Sequence, residues 1–157
     1  MALLQLRKAN HIAIGTDDID ALLTFYTNIL GFERVDRPFD GMFDGYWLRL
    51  GNNGMMMHII GSNAYQQLLD LNPRMRPLPG GLTNMKLPQR EIDIRRAMQD
   101  HFSFEVENLE GAMEFLSSHG IKYQVNNKRN VTQLWFEDPD GRTIELMPID
   151  ENPPAKL

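Results

Sequence analysis

The chain predicts an α+β fold in which one unit, a strand, a helix and three further strands, is written twice within 157 residues. Three observations predict it. First, "HIAIGTDDIDALLTFY" from His11 and "HFSFEVENLEGAMEFL" from His101 share one pattern, 90 residues apart. Second, each copy alternates apolar and polar residues, crosses an acidic turn, and then changes to helical periodicity. Third, each half closes on a glycine-bearing turn and a last strand, "GNNGMMMHII" at 51–60 and "EDPDGRTIELM" at 137–147.

The elements follow in order. In the opening strands Ile12 and Ile14 share one face and His11 and Ala13 the other, as Phe102 and Phe104 oppose His101 and Ser103, because strand side chains alternate with period two. Asp17 and Asn108 are the expected N-caps of the helices. Their apolar faces are Ile19, Leu22, Leu23 and Tyr26 in one and Leu109, Ala112, Met113 and Leu116 in the other. Each helix should stop at a glycine, Gly31 or Gly120, placed for a left-handed cap. "FERVDRP" and "GYWLRLG" then read as strands in the first half, and "IKYQVNN" and "VTQLWFE" in the second. The modules so defined span 8–60 and 99–149 of a single domain, 1–157, with a connecting loop or lid at 61–98 and a frayed tail at 150–157.

Composition narrows the function. No run approaches the roughly 18 apolar residues of a membrane span, and "MALLQLRKAN" is too polar for a secretory signal, so a soluble, cytoplasmic protein is expected. A net charge of −5 argues against a nucleic-acid surface. With no cysteine, a transition metal would have to take His and carboxylate ligands, and the absence fits a reducing compartment. Asn130 in "NVT" reads as a chance glycosylation match.

Superposing the turn glycines Gly54 and Gly141 sets His58 on Glu145. Each half thus carries one potential ligand at its first strand and one at its last. Strand parity allows His11, His58, His101 and Glu145 all to point away from the helices, so two such sheets about a pseudo-twofold would gather them at a centre. Taken singly, a strand histidine is more often a hydrogen-bonded half-buried side chain than a ligand. A carboxylate in an apolar strand such as "RTIELMP" needs a cationic partner or a metal. Four positions obeying one repeat and one parity favour a site. His119, just before Gly120, reads as a helix cap, Met55–Met57 as core and cavity lining, and Asp138 and Asp140 in "DPDG" as turn formers.

The repeat, with "NHIAI" opening one half, "GF" after the first helix and "DPDGRTIELM" closing the other half, resembles the vicinal oxygen chelate superfamily. That superfamily includes glyoxalase I, extradiol dioxygenases, fosfomycin-resistance transferases and methylmalonyl-CoA epimerase. "MMMHII" and "DHFSFEV" are similar to its glyoxalase-like members. The resemblance implies an open, U-shaped, eight-stranded barrel around one divalent metal, with His11, His58, His101 and Glu145 as ligands. It implies a homodimer, and module pairing either within the chain or swapped between chains. In the dioxygenase and fosfomycin branches three positions ligate, here His11, His101 and Glu145. Four ligands are usual in the glyoxalase I and epimerase branches, where the fourth is commonly Glu or Gln. This chain has His58 there.

Three imidazoles and a carboxylate suit zinc, nickel, cobalt, iron or manganese over calcium or magnesium. A substrate with two neighbouring oxygens, bound through an enolate to such a metal, gives isomerase or lyase chemistry of the glyoxalase type, with Glu145 as the catalytic base. The alternatives are a ferrous extradiol-type dioxygenase, with His58 off the metal, and a non-catalytic small-molecule binding protein of the bleomycin-resistance kind. Residues 61–98 carry six positive and three negative charges, against a net −8 elsewhere. They read as a rim for an anionic substrate, with Arg74, Arg76 and Arg90 as contacts, or equally as a solvated linker. Trp135 is a further substrate-binding candidate, and Tyr46, Leu48 and Gln133, or their opposite-face neighbours, complete the expected pocket wall.

Overall fold

A computed structural model describes residues 10–38, 41–52, 54–71, 101–128 and 131–149. The chain divides into two compact units, Met1–Lys86 and Leu87–Leu157. In the first, β1 (His11–Thr16) leads through α1 (Ile19–Thr24) to β2 (Glu33–Val35), β3 (Gly45–Arg49), β4 (Met56–Gly61) and α2 (Ala64–Leu71). In the second, β5 (His101–Val106) leads through α3 (Leu109–Ser118) to β6 (Tyr123–Lys128), β7 (Val131–Glu137) and β8 (Thr143–Pro148). The sheets have the same order, β1-β4-β3-β2 and β5-β8-β7-β6, with the opening and closing strands of each module paired in parallel. The expected α+β fold of two βαβββ modules is therefore observed.

Register makes the positions of the two candidate ligand pairs equivalent. Ala13 stands beside His58 in the first sheet, and Ser103, its counterpart 90 residues on, stands beside Glu145 in the second. Parity falls as expected: Ile14, Met57, Ile59 and Leu48 are buried against Leu22, Phe25 and Tyr26, leaving His11 and His58 on the opposite face. In the second unit Ile144, Leu146, Leu134 and Phe136 form the core with Leu116 of α3. Burying a side chain of this size contributes about 1.5–3 kcal/mol, so the apolar alternation fixes which face is left for chemistry.

The helix ends correct one expectation. Asn108 caps α3 by accepting from the Gly111 amide at 2.9 Å, but α1 is capped by Asp18, not Asp17, through the Ala21 amide at 3.0 Å. Asp18 is the residue 90 before Asn108, so the repeat itself singles it out. A π-turn over Phe25–Ile29 continues α1, with Thr27 Oγ1 donating to the Leu23 carbonyl at 2.8 Å. Such a hydroxyl competes with the backbone ladder and loosens a helix locally. Gly31 and Gly120 take the left-handed conformation expected of them, at φ 71° and 69°.

At Gly54 an added Cβ would collide with the Leu50 carbonyl, which is why the turn before β4 takes glycine. The helix α2 opens the stretch expected as a connecting loop or lid, whereas the rest of that stretch, 72–98, and the tail at 150–157 lie outside the described residues. No helix among the described residues is long and apolar enough to cross a membrane.

Candidate metal centre

In the first module His58 sits between three strands, with Ala13 beside it on β1 and Trp47 beside it on β3. The small Ala13 leaves space that the ring of His11, two residues away on the same face, covers. His11 and His58 stack at 4.2 Å with planes 15° apart, and the Trp47 indole covers the other face of His58 at 4.3 Å and 3°. His11 Nδ1 lies 2.7 Å from the Asn10 side-chain oxygen. Burial, then the neighbouring His11 and Arg37, push His58 below the ordinary imidazole value, which keeps it in the neutral form that a metal requires.

In the second module His101 and Glu145 come together on β5 and β8, with His101 Nε2 3.2 Å from Glu145 Oε2. Glu145 is only 4% exposed. Its other oxygen, Oε1, accepts from Gln133 Nε2 at 2.6 Å, and Gln133 in turn accepts from Asn126 Nδ2 at 2.9 Å. Trp135 lies directly across from Glu145 on β7 and meets the His101 ring edge-on at 5.0 Å. It is 2% exposed, and its indole N–H has no hydrogen-bond partner among the described residues. Burying a donor without an acceptor costs about 1–3 kcal/mol.

Each module thus brings two candidate ligands together, and among the described residues none gathers a third. The donor set of imidazoles with one buried carboxylate fits a borderline divalent metal. Sequence reasoning missed that both tryptophans of the chain stand opposite a closing-strand ligand, Trp47 against His58 and Trp135 against Glu145. The signal was available, since the two tryptophans are spaced almost as the two ligands are. On the open face of the first sheet the wall is Trp47 and Arg49, because Tyr46 and Leu48 turn toward the helix side. On the second sheet Gln133 and Trp135 share the face of Glu145. Arg74, Arg76 and Arg90 lie outside the described residues.

His119 serves α3: its backbone N–H and its ring Nδ1 both reach the Phe115 carbonyl, the ring at 2.8 Å, and the imidazole lies on the Phe115 ring. Asp138 accepts from the Asp140 and Arg142 amides, and Arg142 bridges both carboxylates at 3.2 and 2.9 Å. The turn formers therefore also hold a half-buried, ion-paired arginine. A cleft of about 570 Å³ in the first module, bounded by Asp18, Arg34, Arg37, Asp44 and Tyr46, holds none of the four candidate ligands. Its polar groups are engaged in the fold: Asp18 caps α1, Asp44 bonds Gln67, Arg37 holds the Phe43 and Gly45 carbonyls, and Arg34 lies over Tyr46 at 4.4 Å.

The family model described as the Glyoxalase/Bleomycin resistance protein/Dioxygenase superfamily matches residues 8–146. Among curated relatives, Glyoxylase I 4 of Arabidopsis thaliana is 28% identical over 98% of this chain and 78% of its own length. The lactoylglutathione lyase of Schizosaccharomyces pombe is 25% identical over 94% of this chain, which spans 49% of that protein. Among solved structures, a glyoxalase/bleomycin resistance protein/dioxygenase from Nocardioides superposes with a TM-score of 0.65 at 17% identity, covering 99% of this chain and 92% of that one. At that identity the superposition speaks to fold alone.

Proposed function

The chain belongs to the Glyoxalase/Bleomycin resistance protein/Dioxygenase superfamily, and from that premise we propose that it is a divalent-metal-dependent enzyme of glyoxalase I type. Its substrate would be a small, oxygenated, anionic molecule, and its reaction an isomerase or lyase step. His11, His58, His101 and Glu145 would hold one metal, zinc, nickel, cobalt, iron or manganese, with the two pairs contributed by one chain or by two chains of a homodimer. The observation that carries this reading is the buried Glu145 carboxylate placed 3.2 Å from His101 Nε2 on the ligand face of β8. A carboxylate so removed from water calls for a cationic partner.

The metal, when bound, supplies Lewis-acid stabilisation of negative charge developing on a substrate oxygen. The protein's own groups do the rest. Glu145 would leave the metal to act as base, taking a proton at Oε2 from the carbon beside the substrate carbonyl and returning it to the neighbouring carbon. Trp47, flat on His58, and Trp135, edge-on to His101, would each shield the candidate ligands of their own module from water. Lactoylglutathione lyase and glyoxylase I among the relatives support thioester-forming chemistry as the first to assay.

The experiment supplies metal-reconstituted protein with methylglyoxal and glutathione and follows lactoylglutathione by its thioester absorbance. Turnover that falls at least ~100-fold in Glu145→Ala supports the reading; absence of turnover with every candidate metal contradicts that substrate assignment. A second reading is favoured by one observation. His58 is held flat between His11 and Trp47, and if the stack keeps it off the metal, His11, His101 and Glu145 become the facial triad of a ferrous extradiol-type dioxygenase. Oxygen uptake with iron and a catechol, unaffected by loss of the His58 ring nitrogens, would select it.

A further inference from the structure

We infer that Gln133, held in turn by Asn126, is a positioning residue that fixes the Glu145 carboxylate by Oε1 so that Oε2 alone is offered to a metal or substrate. This rests on the reading of Glu145 as a ligand, and it goes beyond that reading by naming what aims the carboxylate. Asn126 and Gln133 are direct partners across β6 and β7, and both share the face of Glu145, which lies on the next strand. The three side chains therefore form a row across the sheet.

Donor and acceptor chemistry fixes the direction of the row. An ionised carboxylate can only accept, so the end of Gln133 that lies 2.6 Å from Glu145 Oε1 is its NH2. That turns the Gln133 carbonyl toward Asn126, whose NH2 donates to it at 2.9 Å. Reversing either amide would set oxygen against oxygen. The hydrogen bond to a charged acceptor is the stronger kind, and the neighbouring bond polarises it further.

Oε2 meanwhile faces His101. With Oε1 occupied, the carboxylate binds through one oxygen, and the ring of His101 and the carboxylate keep one relative orientation before any ligand arrives. Among the described residues no such amide holds the equivalent position in the first module, where His58 is stacked between two rings. The two closing-strand positions are thus held by different means, and only that of Glu145 depends on side-chain amides.

Cobalt titration of the full, chelator-treated chain tests this, using the visible absorption of bound Co2+ to read affinity and coordination together. Gln133→Leu is expected to weaken Co2+ binding roughly 10–100-fold, as loss of a residue orienting a metal ligand does. It should also change the visible spectrum, because the freed carboxylate can bind through both oxygens. Asn126→Ala should weaken binding less, and should add nothing once Gln133 is Leu. The decisive comparison is in a Glu145→Ala background, where Gln133→Leu should have no further effect.

Wild-type affinity and spectrum in Gln133→Leu, or an equal loss with and without Glu145, would overturn the inference while leaving Glu145 as a ligand. Wild type and Glu145→Ala taking up Co2+ alike would overturn the ligand reading itself, and the inference with it. Asn126→Ala, at a half-buried position, keeps the test open if Gln133→Leu does not fold.

Discussion

His58 is the residue whose setting departs most from that of a simple ligand, because two parallel rings hold it and burial keeps its proton off. The sign of the resulting pH dependence follows. Above the ordinary value of 6.5 the imidazole is neutral in both folded and unfolded chains and contributes nothing. As pH falls through 6.5 the unfolded chain takes up the proton first, and stability is lost until the lower folded value is passed. Chelator-treated protein should therefore lose more of its denaturation midpoint between about pH 7.5 and 5.5 than a His58→Gln variant does. Equal losses would show that the stacked ring titrates as it does in water.

At the scale of elements, the cap on α3 and the turn before β8 carry measurable stability. Asn108→Ala removes the acceptor for the Gly111 amide and should cost about 1 kcal/mol in urea unfolding. Arg142 lies between Asp138 and Asp140, both 2% exposed. Burial works against its charge, but the two carboxylates more than offset this and raise its proton affinity. Arg142→Leu would leave two buried carboxylates without their cation and should cost roughly 3–5 kcal/mol, whereas a loss under 1 kcal/mol would mean water reaches that turn.

These same elements show what could be read from the residues alone. Strand and helix order, the glycine stops and the faces of His11, His58, His101 and Glu145 were legible, because period two and period 3.6 report directly on burial. The cap at Asp18 was misplaced by one residue, since two adjacent aspartates satisfy the same local rule. The π-turn over Phe25–Ile29 leaves no compositional trace. Nor does the Asn126–Gln133–Glu145 row, which exists only through the register of three strands.

For the whole molecule, the account places two ligands in each module and asks all four to serve one metal. The repeat explains why: each module alone supplies only a pair, which binds a transition metal weakly and leaves its coordination unfilled. In the proposed site the closing-strand positions carry His58 in one module and Glu145 in the other. The most direct measurement of that claim is elemental analysis of untagged protein purified without chelator, beside single alanine variants of His11, His58, His101 and Glu145. About one transition metal per chain, reduced by every one of the four substitutions, is the predicted result. Full metal in the His58 variant would leave a three-ligand site and favour the oxygenase reading, and no metal in wild type after reconstitution with each candidate ion would contradict the site altogether.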